Sequence, residues 1–374
     1  MIKDKIADYA YDAKLAGLNY HIDNHQYGIF IKIDGFNEKQ SLYLTKFLDE
    51  VIQCELNAKR FDALKDFYIL DLKNFEKQQP YKQIDHYVDL LLSEMMWSKE
   101  DLLKEAEDVN LLALKNFRPL FFNNAHIESL IVGNTNEEIA KTLLKIAVDS
   151  LEGLCKTKPL FSFEIRSNRT LKLPYGCNYF FEMENKTHPN SALSVLFQTS
   201  MENPLHNMLI ELIEQILCEP FFDQLRTKEQ LETMSLEDFE EQKDALATVR
   251  LEKKKNLRDQ GDKLWDEIYL HQYHFDRDNA EVEILKSIKQ DDVLRYFKDH
   301  LSVDGPKRRK LSIHIYSSEK WAEKKLDCGS LGDTGEYKAL PIHDIKAFKS
   351  SLPFYDPPKP YLEIPTAGIE EAKL

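Results

Sequence analysis

The chain has 374 residues, is 43% hydrophobic and 30% charged, and carries a formal net charge of −14, values that fit a folded protein with room for two substantial cores. Its 12 glycines are too few for a turn-rich all-β sandwich or barrel, and the acidic balance speaks against a nucleic-acid partner, which needs a concentrated basic face. The five cysteines (Cys54, Cys155, Cys177, Cys218 and Cys328) are scattered without a Cys-x-x-Cys pair, as in a reduced compartment; no apolar run approaches the roughly 18 residues of a membrane helix, and Asp4 and Asp8 replace the apolar core of a secretory signal.

In chain order, residues 5–17 have helical periodicity with Asp4 as N-cap and Gly17 as stop. Two alternating strands are predicted over 18–23 and 27–34. "NEKQ" (37–40) is close to a capping box, after which Leu44, Phe47, Leu48, Val51 and Ile52 recur at helical spacing; further helices follow over about 58–76, 81–97, 99–108 and 110–118. "HIESLIVG" (126–133) reads as a buried strand, and Thr135-x-x-Glu138 opens a helix to about 152. Residues 153–169 read as a linker. A second block repeats the grammar: strands at 170–174, 177–184 and 192–200, helices at 203–217, 219–231, 235–256, 258–273, 279–288 and 290–301, and a strand at 310–317. Residues 318–374, with six of the 14 prolines from Pro341 onward, are expected to be an extended strap. The fold class is therefore α+β, in two related repeats of an antiparallel-type sheet with helices on one face. The second repeat runs from one helix straight into the next around residues 221–242 and so lacks a strand pair. Its remaining strands should then have open edges, leaving the first block better formed.

The motifs offer little chemistry. No His-Glu-x-x-His or His-x-x-Glu-His is present. Glu267-x-x-x-His271-x-x-His274 would align three donors on one side of a helix, with no catalytic base beside them. "GSLGDTG" (329–335) lacks the Lys-Ser/Thr of a phosphate loop, and no nucleophile elbow is found. The basic runs Lys253–Lys255 and Lys307–Lys310 are short and read as solvated surface.

What carries specific information is a resemblance. "DYAYDAKLAGL" (8–18), "EKQQP" (76–80), "MMWSKEDL" (95–102), "HIESLIVGN" (126–134), "LRTKEQL" (225–231), "FDRDNAEVE" (275–283) and "VDGPKRRKLSIHIYS" (303–317) resemble the C-terminal half of the insulin-degrading (insulysin) branch of the pitrilysin-type inverted-zinc metallopeptidases. The resemblance implies four α+β repeats in the whole enzyme, with the zinc ligands and catalytic Glu in an N-terminal half. The present sequence would begin inside the third repeat (1–152) and continue, after the linker, through the fourth (170–317). It implies no catalytic residue and no metal ligand in this chain, and hence no route to peptide hydrolysis by the chain alone. In such enzymes an Arg and a Tyr of the pattern Arg-Thr-Lys-Glu-Gln-Leu-Gly-Tyr reach the substrate. Here the Arg is Arg226, while Glu232 and Thr233 stand at the Gly-Tyr positions. The pattern resumes near Met234, so the helix–helix junction reads as an internal deletion, from splicing or a faulty gene model. Arg226 without its partner can equally form exposed ion pairs with Asp223 and Glu229.

The resemblance also implies peptide substrates, an N-terminal metallopeptidase half or a second copy of the chain as partner, and a basic ATP or polyanion site that Lys253–Lys255 resembles. The alternative functions are a peptide-binding or dimerisation module without hydrolytic activity, or a truncated product. The final Ala372-Lys373-Leu374 is close to the Ser-Lys-Leu peroxisomal address, so a cytoplasmic protein with a peroxisomal fraction is expected, with mitochondrial members known in such families.

Overall fold

The computed structural model describes residues 1–223, 234–326 and 339–361. It divides into two compact units, neither of them continuous in sequence. Unit 1 comprises residues 1–75, 97–168 and 257–268; unit 2 comprises the described residues of 76–96, 169–256 and 269–374.

In unit 1, helix α1 (Ile2–Leu15) runs into the antiparallel hairpin β1 (Leu18–His25) and β2 (Gly28–Gly35), followed by α2 (Gln40–Gln53) and α3 (Ala58–Asn74). The helix α1 begins at Ile2, without a side-chain cap, so Asp4 is not its N-cap. Asp4 sits in the first turn instead and makes two 2.7 Å hydrogen bonds with the Arg60 guanidinium, which keeps its carboxyl far below the usual range, at about 2. Ile6, Ile22, Phe47 and Val51 form the buried centre. They come from α1, β1 and α2, whose apolar positions recur at helical or alternating spacing.

Three further helices complete most of this unit: α5 (Lys99–Asp108), α6 (Leu111–Phe121) and α7 (Glu137–Cys155). Ser98, Asn110 and Asn136 each accept a hydrogen bond from the amide three residues on, at 2.9–3.0 Å. Asn136 thus takes the capping role expected of Thr135. The predicted strand at 126–133 does not form. Only β3 (Asn124–Ala125) pairs, in parallel with β4 (Lys158–Pro159) inside the expected linker.

The hairpin closes on two glycines. Gly17 has φ +80° and Gly35 φ +139°, and a Cβ on Gly35 would lie 2.0 Å from the Gly17 carbonyl oxygen. Both the backbone conformation and the close approach exclude a side chain there.

Unit 2 holds the larger sheet. Its strands are β5 (Cys177–Asn185), β6 (Ala192–Phe197), β7 (Arg309–Ser317) and β8 (Leu340–Ile342), ordered β6-β7-β5-β8. Only β6 and β7 are antiparallel, whereas β5 pairs in parallel with both β7 and β8. The α+β class holds, but the second sheet is mixed, and it is better developed than the two-stranded sheet of unit 1. The sheet had been expected to suffer from a missing strand pair. Its β5 edge carries β8, drawn from the predicted strap. The predicted strand at 170–174 is reduced to isolated bridges at Thr170 and Leu171.

Helix α4 (Pro80–Leu92) packs on β6 and β7. Its Tyr87 ring lies 5.3 Å from Phe181, over the buried row Leu311, Ile313 and Ile315. Beside this lies a helical core built by α8 (Pro204–Asp223), α9 (Leu236–Leu251), α11 (Arg277–Ser287) and α12 (Gln290–His300). Met208, Leu212, Ile213, Phe239, Leu285 and Val293 are its most enclosed members. The two predicted helices at 203–217 and 219–231 are one helix as far as Asp223. The predicted strap is partly helical too, with α13 (Ser318–Leu326) and α14 (Ile345–Ser351). Among the described residues, no helix is long and apolar enough to cross a membrane.

Replacing Gly35 by Ala should lower stability by about 1–3 kcal/mol, the scale of one strained backbone site. Gly153→Ala in helix α7, where an added Cβ meets nothing within 4 Å, should raise stability by about 0.5–1 kcal/mol. Urea unfolding of the two variants checks both signs.

Candidate functional site

The sequence pointed to Arg226, Glu232 and Thr233, and to the targeting residues Ala372, Lys373 and Leu374. All six lie outside the described residues. What is described is the machinery that leads the chain to the first group, above all α8, which ends at Asp223.

Helix α8 is held by a buried charge cluster. Glu281, on α11, is fully buried. It accepts a 2.8 Å hydrogen bond from the Asn207 amide and lies 3.3 Å from one Arg250 nitrogen and 3.7 Å from Arg277. Arg250, on α9, also donates to Glu211 of α8 through Nε at 2.9 Å and approaches Asp278 at 3.8 Å. Arg277 pairs with Glu202 just before α8. Two guanidinium forks thus tie three helices through four carboxylates. Planar forks suit this role because each can serve two acceptors at once.

The loop after helix α10 (Leu257–Tyr269) removes the candidate metal ligands from alignment. That helix ends at Tyr269 rather than at 273, and His271 and Tyr273 take left-handed conformations with φ +56° and +54°. Glu267 is therefore on a helix, while His271 and His274 are not. His274 stacks at 3.5 Å on Tyr361, whose amide donates to the Gln272 carbonyl. Among the described residues, no group of three or more His, Cys, Asp or Glu side chains is placed to hold a metal ion. The described donors therefore do not fit a zinc site.

Of the basic run at 307–310, Lys307 is exposed as expected, but Arg309 is not. Arg309 falls in phase with Leu311, Ile313 and Ile315, on the inward face of β7, and is 3% exposed. Its guanidinium carbon lies 4.0 Å from the Tyr175 ring centroid and 5.9 Å from that of Tyr355. It donates to the Thr199 carbonyl and the Tyr355 hydroxyl. Aromatic faces and neutral oxygens thus cradle this charge and fasten the Pro353–Tyr355 segment to the sheet. Lys253, Lys254 and Lys255, by contrast, are all exposed.

On the other face of β7, the alternation Ser-x-His-x-Tyr lines up three polar groups. His314 lies 3.1 Å from both the Ser312 and the Tyr316 hydroxyls, and Tyr316 reaches Glu182 at 3.4 Å. Glu182 is in turn paired with Lys324 of α13. This chain contains a serine and a histidine in contact, but Ser312 is 4% exposed and also donates to the Tyr179 carbonyl. It works as a cross-strand polar brace rather than as an accessible nucleophile. Only the period-two spacing in "LSIHIY" could have disclosed it.

Three histidines of this unit are held below their ordinary pKa, mainly by burial. Lys307 adds to the effect at His206 and His300. At His314, Lys324 and Lys310 lower the value and Glu182 opposes them.

Comparison with known proteins places these features in context. Residues 1–105 match the family profile described as the middle or third domain of peptidase_M16, and residues 108–244 match the peptidase M16 inactive domain. Insulin-degrading enzyme of Homo sapiens is 32% identical over 421 residues, covering 99% of this chain and 41% of that protein. The Drosophila melanogaster enzyme of the same name is 33% identical, covering 98% and 42%. Insulin-degrading enzyme-like 1, peroxisomal, of Arabidopsis thaliana is 27% identical, covering 95% and 41%. Among solved structures, pitrilysin superposes with a TM-score of 0.74 at 15% identity, over 95% of this chain and 41% of that one. The chain thus spans about two fifths of the length of these relatives.

Removing the buried carboxylate by Glu281→Ala should destabilise the protein by about 3 kcal/mol or more, because it leaves desolvated guanidinium charge behind; thermal unfolding checks this. The histidines predict a pH dependence. A base whose folded pKa lies below its unfolded value binds fewer protons when folded, so stability is lost as pH falls through the unfolded value, about 6.5. The melting temperature should therefore fall between pH 7 and pH 5.5, and His314→Gln should flatten that slope.

Proposed function

The chain belongs to the peptidase M16 family, and on that premise we propose that it acts as the half of a peptide-degrading M16 enzyme that supplies chamber wall and substrate contacts. The observation that carries this reading is the pair of profile matches, to a middle and to an inactive domain, over residues 1–105 and 108–244. The hydrolytic zinc centre would then come from an N-terminal peptidase half, and the substrates would be peptides. The proposed repeats, 1–152 and 170–317 with a tail from 318, describe ancestry rather than compactness.

Within this reading, Arg226 contacts the substrate backbone and Thr233 stands where a hydroxyl-donating Tyr is needed. An internal deletion after Leu231 accounts for that substitution. It is supported by a match to the human relative that runs over 421 residues, more than the chain's own 374. Homodimer formation and a polyanion contact at Lys253–Lys255 remain parts of the proposal. A peroxisomal fraction, directed by Ala372-Lys373-Leu374, is supported by the peroxisomal designation of the Arabidopsis thaliana relative.

The test is complementation. Mixed with the N-terminal half of a relative, the chain should give no peptide turnover above background. Thr233→Tyr alone should rescue nothing, while reinsertion of the relative's segment after Leu231 should restore measurable cleavage. One lost transition-state donor costs about 2.7–4 kcal/mol of barrier, so the restored mixture should gain on the order of a hundredfold or more. Robust turnover by the unrepaired chain would show that the deletion is functionally tolerated and that Arg226 serves the substrate without a Tyr partner, which overturns the predicted loss of activity.

A further inference from the structure

Unit 1 contains a concave site with no role in this reading. The C-terminal ends of α2, α6 and α7 converge around a cavity of about 520 Å³, within the range of small-molecule sites. Its walls are Ile52, Pro119, Phe122 and Leu154 with the amide side chain of Gln53 at one side, and two further lining residues, Arg118 and Cys155, carry the chemistry. Arg118 donates one hydrogen bond, at 2.5 Å, to the carbonyl of Cys54, the residue that ends α2. Among the described residues no carboxylate pairs with it. A guanidinium has five N–H donors, so this one retains donors after capping the helix. The remaining lining is mostly apolar, which disfavours a second charged or strongly polar group.

We propose that this cavity binds a small apolar carboxylate, with the apolar body against Phe122, Pro119 and Leu154 and the carboxylate on Arg118. The full positive charge of Arg118, set against the partial negative ends of the three helices, selects an anion, and the planar fork selects a carboxylate that can accept two parallel hydrogen bonds. The apolar walls reject a highly hydrated anion such as inorganic phosphate, whose oxygens would lose water without replacement. The same chemistry is offered by a free organic acid and by the C-terminus of a peptide ending in an apolar residue. Cys155 provides the reporter, because an occupant of the cavity covers its thiol.

The experiment follows alkylation of Cys155 by iodoacetamide in the full chain, read by peptide mass spectrometry. Phenylbutyrate at about five times its dissociation constant should slow alkylation about sixfold, because only the empty fraction reacts. Phenylbutanol, with the same body and no charge, should protect far less. Arg118→Ala should abolish protection. Since that variant also uncaps α2, Leu154→Glu supplies an independent arm: it leaves the cap intact, sets a carboxylate in the cavity and should likewise repel the acid. Protection by acetyl-Ala-Ala-Phe with a free but not an amidated C-terminus would assign the peptide source, and protection by phenylbutyrate alone would assign the free acid. No protection by phenylbutyrate, equal protection by phenylbutanol, or protection that survives Leu154→Glu would overturn the proposal.

Discussion

Unit 2 depends on one buried carboxylate. Glu281 is fully enclosed, and an unpaired charge in that position would be too costly to keep. It is tolerated because Asn207, Arg250 and Arg277 converge on it. That convergence sets the relation of α8, α9 and α11 more closely than their apolar faces do. Leucine and isoleucine contacts are non-directional and can slide, whereas the two-point fork of Arg250 on Glu211, which joins α9 to α8 beside Glu281, has one good geometry. The apolar core of Met208, Leu212, Phe239 and Leu285 supplies the driving force, and the charge cluster supplies the register.

The elements were readable where a local rule acts alone. Alternation marked β1, β2, β5 and β7 to within a residue or two, and Ser98 and Asn110 marked the starts of α5 and α6. Reading failed where long-range pairing decides. "HIESLIVG" has strand composition, yet has no partner strand beyond Asn124–Ala125. Residues 340–342 have no strand signature and become β8 because the edge of β5 is open to them. Parallel pairing of β5 with β7 could not be seen either, since it joins segments more than a hundred residues apart.

For the site, the sequence pointed to residues that the family resemblance supplied, and the structure brings others to notice. Glu281 sits in "NAEVEI", where nothing local separates it from an ordinary surface glutamate. It is enclosed by Asn207 of α8 and Arg250 of α9, which arrive from distant segments, together with Arg277 one turn earlier on its own helix. Arg309 looked like one member of a basic run, but the period of β7 turns it inward while Lys307 stays at the surface in a 2.7 Å pair with Asp299. The triplet Glu267, His271 and His274 failed for the opposite reason. Its spacing assumed a helix that stops at Tyr269.

The discontinuity of unit 1 bears on how the chain emerges from the ribosome. Its hairpin depends on a segment made far later: Asp34 pairs with Arg258 at 2.9 Å, Lys32 with Asp262, and the Phe30 ring packs 5.3 Å from Trp265. Until residues 257–268 leave the exit tunnel, the hairpin has α1 and α2 on its inner face, but its outer face lacks the cover that Arg258, Asp262 and Trp265 bring. Nascent unit 1 therefore stays incomplete while residues 169–256 of unit 2 are made. That interval is the one in which a chaperone has most to shield.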